Sequence, residues 1–248
     1  MINLLKNIFN SNDGKERLLR YKKLVENNIR RYDKVDSDTV VNYLLRVIVE
    51  YMNFSETVQA FELVSKVQNN SLFEEIYRRI STDVTIESPL ITIDNDRKDD
   101  IKDYIINRLG VEYNCPSIHK FPILLNPWNG ERVIDSLVYI NEKNSFDCER
   151  YSYNIENHYL YPMNIIVCNG GNHSQFSARI KNQGETIINA ICDYSKVYSL
   201  VEFDGENFIK SSDNSIIDLH RVYDKDILFY SGVIFELGRY ILEIDSTI

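Results

Sequence analysis

Hydrophobic positions in the first third of the chain recur at helical spacing. Leu18, Tyr21, Val25 and Ile29 fall on one face of a helix that follows Gly14. Asp36, Ser37 and Asp38 form an N-cap cluster ahead of Val40, Val41, Leu44, Leu45, Ile48 and Val49, which predicts a second, buried helix. Ser55 is placed to cap a third helix through Val58, Phe61, Leu63 and Val64. Ser71 and Glu74 have the spacing of a capping box and open a fourth helix that ends near Ile80.

The pattern changes after residue 80. Residues 84–86 and 90–93 are rich in β-branched side chains and are split by Pro89, which predicts short strands or extended chain. Asp94 or Asp96 is placed to cap a further helix that stops at Gly110. Prolines then crowd residues 115–127, a loop around a short strand at residues 123–125. Residues 131–140 suit either a helix or a strand, and the polar, Tyr-rich stretch 141–162 reads as loop. Residues 163–168 form a buried strand, residues 169–174 a turn, and residues 175–183 a helix that ends at Gly184. Residues 186–192 and 197–203 are two more predicted strands, with a hairpin-type turn at Asp204-Gly205. Residues 223–242 form an amphipathic helix in which Glu236 and Arg239 form a surface ion pair and Gly238 signals close packing or the approach of a ligand. The sum is an α+β protein, with a helical portion over residues 1–110 and a compact α/β portion over residues 111–248.

Composition narrows the class. The chain has only 9 Gly and 5 Pro in 248 residues, where average usage gives roughly 17 and 12. Collagen-like, linker-like and Pro-rich disordered chains are thereby excluded. The net charge of −9 argues against a generic coat for nucleic acid, although a local basic site is compatible with it. Cys115, Cys148, Cys168 and Cys192 lie far apart with no CxxC pair, and no histidines are spaced i, i+4, so no tightly held structural metal is expected. The N-terminal stretch lacks the apolar core and cleavage site of a secretory leader, and no apolar run reaches the ~18 residues of a membrane span. A reduced, cytoplasmic protein is the expectation. No P-loop, GxSxG elbow or GxGxxG fingerprint occurs.

The segment IIVCNGGNHSQFSARI carries the most chemistry. An apolar strand meets the only adjacent pair of glycines, Gly170 and Gly171, and a helix follows. Two glycines permit a sharp turn and close approach of a ligand. The start of a helix leaves N–H groups unpaired, with a partial positive charge that suits phosphate. His173 is the candidate catalytic residue, as a phosphate donor or acid/base. Asn172 and Ser174 are candidate hydrogen-bonding partners, although both residue types are also ordinary helix caps. Arg132 would supply a cation to the same site if the upstream strand lies beside this one. Trp128 would stack on a ligand or else simply seal the core. His158, just before the motif strand, is a candidate second histidine or a member of a polar surface loop.

Residues 165–184 resemble the signature of the ParB/sulfiredoxin-like superfamily, in which a strand ends in a glycine turn and a polar-His-Arg triplet opens a helix. Sulfiredoxins carry Gly-Gly-Cys-His-Arg there, and ParB-like serine kinases a similar Gly-x-His-Arg. Gly170, Gly171 and His173 match this pattern. Asn172 stands at the sulfiredoxin cysteine, so sulfinic acid reduction is not implied, and Ser174 stands at the arginine, which weakens the implied hold on a triphosphate. The resemblance implies that fold for the second portion and nucleotide-phosphate binding at the helix start. The phrase GGNHS with a later FELGR also resembles a bacterial protein family without an assigned function. Two functions are thus in view. One is a nucleotide-dependent enzyme, a hydrolase or phosphotransferase, or a switch, with Mg²⁺ accompanying the nucleotide. The other is a non-catalytic interaction or regulatory protein, for example a defence-system component, acting through its N-terminal helices on a partner or a second copy of itself.

Overall fold

A long run without Gly or Pro lets helical hydrogen bonding continue unbroken, and this decides the shape of the N-terminal portion. The computed structural model describes residues 14–29, 34–62, 72–85, 87–92, 118, 121–219 and 224–246. Helix α1 spans Gly14–Ile29, α2 spans Lys34–Glu62 and α3 spans Leu72–Val84. The expected second and third helices are one. Asp36, Ser37 and Asp38 lie inside α2, and Ser55 lies in its interior instead of capping a new helix. Nothing between them stops the helix, and the hydroxyl of Thr57 donates back to the Asn53 carbonyl at 2.7 Å, the local bond by which such residues are accommodated in a helix. Val84 ends α3 and is not in a strand. The helix expected before Gly110, with Cys115, His119 and His220, falls outside the described residues.

Five strands form the main sheet: β1 (Leu90–Thr92), β2 (Ile123–Leu124), β3 (Glu156–Tyr161), β4 (Ile165–Gly170) and β5 (Ala190–Asp193), in the order β1-β5-β3-β4-β2. β3 pairs antiparallel with β4 and parallel with β5, while β2 runs parallel to β4. Residues 156–161 therefore belong to the central strand and not to a loop. Their polar members hide the period-2 signal, because Asn157 is fully buried yet satisfied by side-chain and backbone partners. Helix α4 is Gly130–Tyr139, which settles the type of that segment, and α5 is Asn172–Ile180. A three-stranded meander follows, β6 (Val201–Phe203), β7 (Phe208–Lys210) and β8 (Ile216–Ile217). The Asp204-Gly205 turn joins β6 to β7 as expected, with the Asp204 carboxylate accepting from the N–H groups of Glu206 and Asn207 at 2.8 Å. Residues 195–199 wind into a 3₁₀ turn instead of starting that strand. Helix α6 is Lys225–Ser246.

Strand alternation sorts the main sheet into two faces. Leu160, Val167 and Cys192 point into a core shared with α1, α2, α3, α6 and the meander. Tyr159, Ile166, Cys168 and Ile191 point into a second core with α4 and α5. The result is a helix–sheet–helix sandwich of α+β type, helical at the N-terminal end and strand-containing after it. The first core draws on both sides of residue 110, with Val41 and Tyr77 packed in the same cluster as Phe235 and Val233.

The ion pair of α6 is not on the surface. Glu236 is only 2% exposed, and its carboxylate accepts from the Phe203 N–H at 2.9 Å and pairs with Lys22 at 2.7 Å and Arg239 at 3.2 Å. Arg239 in turn donates to the carbonyls of Tyr198 and Val201 at 2.7 and 2.9 Å. These contacts tie α1, α6 and β6 together. Close packing at Gly238 is present as expected: a Cβ there would lie 2.4 Å from the Tyr198 hydroxyl and 3.1 Å from the Met163 Cα.

Burial alone raises the Glu236 pKa, but Arg239 and Lys22 outweigh it and hold the carboxyl below the usual range. A group depressed in the folded state adds stability above its unfolded pKa of ~4.3, and that stability is lost as pH falls through the folded value. Glu236→Gln is expected to cost about 2–4 kcal/mol at neutral pH by removing the negative partner of two cations. It should also remove this share of the acid sensitivity. Urea unfolding from pH 7 to pH 3 checks both, and equal stability of variant and wild type at pH 7 would contradict the assignment.

Candidate functional site

β4 ends at Gly170, and Gly171 takes a φ of +79°, the left-handed region that favours glycine. A Cβ at Gly171 would also meet the Asn154 carbonyl at 3.0 Å. The turn is held from below by a buried polar network. Gln175 donates to the Gly170 carbonyl at 3.0 Å and to Asn157 Oδ1 at 3.1 Å. Asn157 donates to Thr186 Oγ1 at 2.8 Å, and Thr186 donates to Gln175 Oε1 at 2.6 Å. All three side chains are fully buried, so the network fixes the entry of α5 as a unit. Asn172 serves the same end, its Oδ1 accepting from the Asn126 N–H at 2.8 Å, which locks the segment after β2 against the start of α5.

That segment leads into α4, capped by Asn129, whose side chain accepts from the Arg132 N–H at 3.0 Å. Because β2 lies parallel beside β4, the starts of α4 and α5 come together. They bound a cavity of about 430 Å³. Gly170, Gly171, Asn172, His173 and Ser174 form one wall, and Trp128 and Arg132 another. Asp135, Ser136 and Tyr139 continue the second wall along α4, at the spacing of one helix face, and Tyr151 also lines the cavity. Seven of the eight residues singled out from the sequence thus meet at one cavity.

The chemistry of this wall is specific. Asn129 donates its N–H to His173 Nε2 at 3.2 Å, so Nε2 is an acceptor and the proton sits on Nδ1. Burial, and then the charge of Arg132, push the His173 pKa down to about 4. His173 is a neutral donor at physiological pH and not an imidazolium. Trp128 meets the His173 ring edge-on at 5.1 Å and carries the Arg132 guanidinium over its own ring at 4.8 Å. Trp128 therefore positions Arg132 and His173, and one of its faces is already occupied. No side chain caps α5, and the residues of its first turn, Asn172, His173 and Ser174, line the cavity.

His158 does not join this cavity. It sits on β3 two residues before Leu160, on the face turned toward α3. Its Nδ1 lies 2.8 Å from Glu74 Oε2, and Glu156 lies 3.6 Å from its Nε2. Burial acts to lower its pKa, but Glu74 and Glu156 prevail and raise it. Asn169 donates to Glu74 at 2.6 Å, and Cys192 Sγ lies 3.9 Å from Glu74 Oε1. Burial opposes the Glu74 charge, and the bonds from His158 and Asn169 overcome it and lower its pKa. Glu74, read from the sequence as a capping-box residue, is thus the centre of a cluster across the sheet. Its partners lie 84 and 118 positions away, a separation that leaves no local pattern. The network residues Asn157, Gln175 and Thr186 were equally silent in the sequence.

The hydrogen bond to Asn129 and the depressed pKa give a spectroscopic expectation. Nitrogen-15 NMR of the His173 ring should show the Nδ1–H tautomer from pH 6 to 8, with protonation only near pH 4. An imidazolium signal at pH 6, or the Nε2–H tautomer, would contradict this geometry.

Among the described residues, no helix is long and apolar enough to cross a membrane. No curated protein and no solved structure matches the chain. A family model does match, over residues 3–248. The chain belongs to that family, a family of unknown function, DUF6710.

Proposed function

We propose that this protein binds a nucleotide in the cavity between α4 and α5, with its phosphate at the start of α5. The observation that carries this reading is the pairing of an uncapped helix start with a cation. The residues at the start of α5 line the same space as Arg132, which pairs with no carboxylate among the described residues. Ser174 adds a hydroxyl, and His173 adds a neutral Nδ1–H donor that leaves the anion uncontested. Tyr139 and Tyr151 supply the aromatic surface for a base, since Trp128 is engaged by Arg132. A volume of about 430 Å³ lies in the range of small-ligand sites. A Mg²⁺ ion carried by the nucleotide would find the Asp135 carboxylate on the same wall. The ParB/sulfiredoxin-like resemblance of residues 165–184 points to the same ligand class. With Nε2 engaged by the backbone, His173 acts through Nδ1 as a hydrogen-bond donor to phosphate, and not as a general base.

Calorimetric titration of the full chain with AMP, ADP, ATP and inorganic phosphate tests this reading. Saturable binding of at least one nucleotide is expected. Arg132→Ala should weaken it by about 10- to 100-fold, the worth of a charge-assisted hydrogen bond. Wild-type protein that binds none of the four would overturn it.

A second reading rests on α2. Tyr43, Val47, Tyr51, Phe54, Val58 and Phe61 recur every three or four residues and are between 48% and 65% exposed. A helical stripe of this kind supports docking through the N-terminal helices, to a second copy or a regulatory partner. Light scattering after size separation is expected to give a dimer at micromolar concentration. Val47→Glu should shift it to monomer by burying a charge in the seam. A wild-type monomer at every concentration would exclude self-association through this face.

A further inference from the structure

The cluster on the other face of the sheet has a donor set of its own. Glu74 comes from α3, His158 from β3 and Cys192 from β5, and one potential ligand atom of each lies within 4.8 Å of the others. A tetrahedral Zn²⁺ holds nitrogen and oxygen ligands at ~2.0–2.1 Å and sulfur at ~2.3 Å, which spaces its ligand atoms roughly 3.3–3.6 Å apart. The observed separations of 2.8 Å between His158 Nδ1 and Glu74 Oε2, and 3.9 Å between Glu74 Oε1 and Cys192 Sγ, bracket that spacing.

Three neighbours support a ligand here. The Glu156 carboxylate lies 3.6 Å from His158 Nε2, on the ring nitrogen that a metal at Nδ1 would leave free. Metal-bound histidines usually donate that second N–H to a carboxylate, which orients the ring. Asn169 Oδ1 is buried with no hydrogen-bond partner, while its Nδ2 points at Glu74. A half-turn of that amide would set Oδ1 beside the Glu74 oxygen, an arrangement that a cation between them stabilises. The Tyr194 side chain is only 1% exposed, and its hydroxyl has no hydrogen-bond partner. The cluster is nearly closed to solvent, with the His158 and Glu74 side chains 12% and 15% exposed. Few waters would compete there, and an edge remains for entry.

We propose that Glu74, His158 and Cys192 bind one transition-metal ion of the Zn²⁺ class, with Asn169 at the fourth position. One carboxylate, one imidazole and one thiolate make a mixed donor set of borderline softness, which favours Zn²⁺ over the all-oxygen preference of Mg²⁺ and Ca²⁺. Cys192 gives its thiol proton to solvent on ligation, and His158 binds as the neutral ring. The ion would fasten α3 to β3 and β5. This site is separate from the nucleotide cavity, because the side chains of β4 alternate between them: Asn169 faces Glu74 and Gly170 lines the cavity.

Titration of the metal-stripped full chain with Co²⁺ tests the proposal. Tetrahedral visible bands and a near-ultraviolet thiolate-to-cobalt band should appear together and saturate at one ion per chain, and added Zn²⁺ should abolish both. Cys192→Ser should remove the thiolate band. Glu156→Gln should weaken binding by about 10-fold, the usual cost of losing a carboxylate behind a ligand histidine. Circular dichroism establishes that each variant is folded, and the wild-type spectrum is diagnostic without any variant. No saturable Co²⁺ binding by wild type, or a thiolate band that survives in folded Cys192→Ser, would overturn the assignment. Neither result depends on whether nucleotide binds across the sheet.

Discussion

β4 is covered on both faces, and the rest of the molecule is registered on it. Ile165, Ile166, Val167 and Cys168 are all at most 1% exposed, so the strand must bury one set of side chains against each helical layer. A slip of one residue would exchange the two sets. Asn169 would then face the cavity, and the backbone of Gly170 could no longer open it. The position of every candidate group therefore follows from a single constraint, the phase of alternation in one strand. β2 and β3 on its two sides carry that phase outward, to the segment holding Trp128 and to His158.

Burying polar side chains is costly unless each finds a partner, and two such sets among the described residues support the fold around the sheet. Asn157, Gln175 and Thr186 form a closed set beneath the glycine turn. Glu236 collects Lys22, Arg239 and the Phe203 N–H between α1, α6 and the meander. Neither set touches the cavity directly as a donor to ligand, yet the first holds the carbonyl of Gly170 and the second holds the layer on which α3 rests. Such networks favour one arrangement over nearby alternatives, because a shifted partner leaves an unpaired polar group in the interior. They account for how a chain poor in glycine can keep Gly171 at a positive φ on a rigid support.

Much of the helical framework was legible from spacing. α1, α3, α5 and α6 lie close to where their apolar periods put them, because each buries one stripe against a core. The start of α2 was misplaced because Asp and Ser resemble caps wherever they occur. Only the neighbouring turns decide whether such residues begin a helix or ride within one. β3 was missed because Asn157 and His158 look like loop residues. Their burial is tolerated only through partners on β5, α3 and α5, and a strand read alone shows none of these. Glu74 is the sharpest case. Its spacing from Ser71 matches a capping box, but its carboxylate is spent on His158 and Asn169.

The sequence by itself determined the fold class, the strand-turn-helix built on Gly170 and Gly171, and the group of side chains around it. These follow from local rules: periodicity, the conformational freedom of glycine and the unpaired N–H groups of a helix start. Tertiary structure alone decided that Arg132 and Trp128 reach that turn while His158 leaves it, that His173 is neutral, and that Glu74 meets His158 and Cys192. Those outcomes depend on strand order and on which face each side chain takes. Both arise from burying two hydrophobic cores at once, a condition that acts on the whole chain and leaves no trace in any short stretch of it.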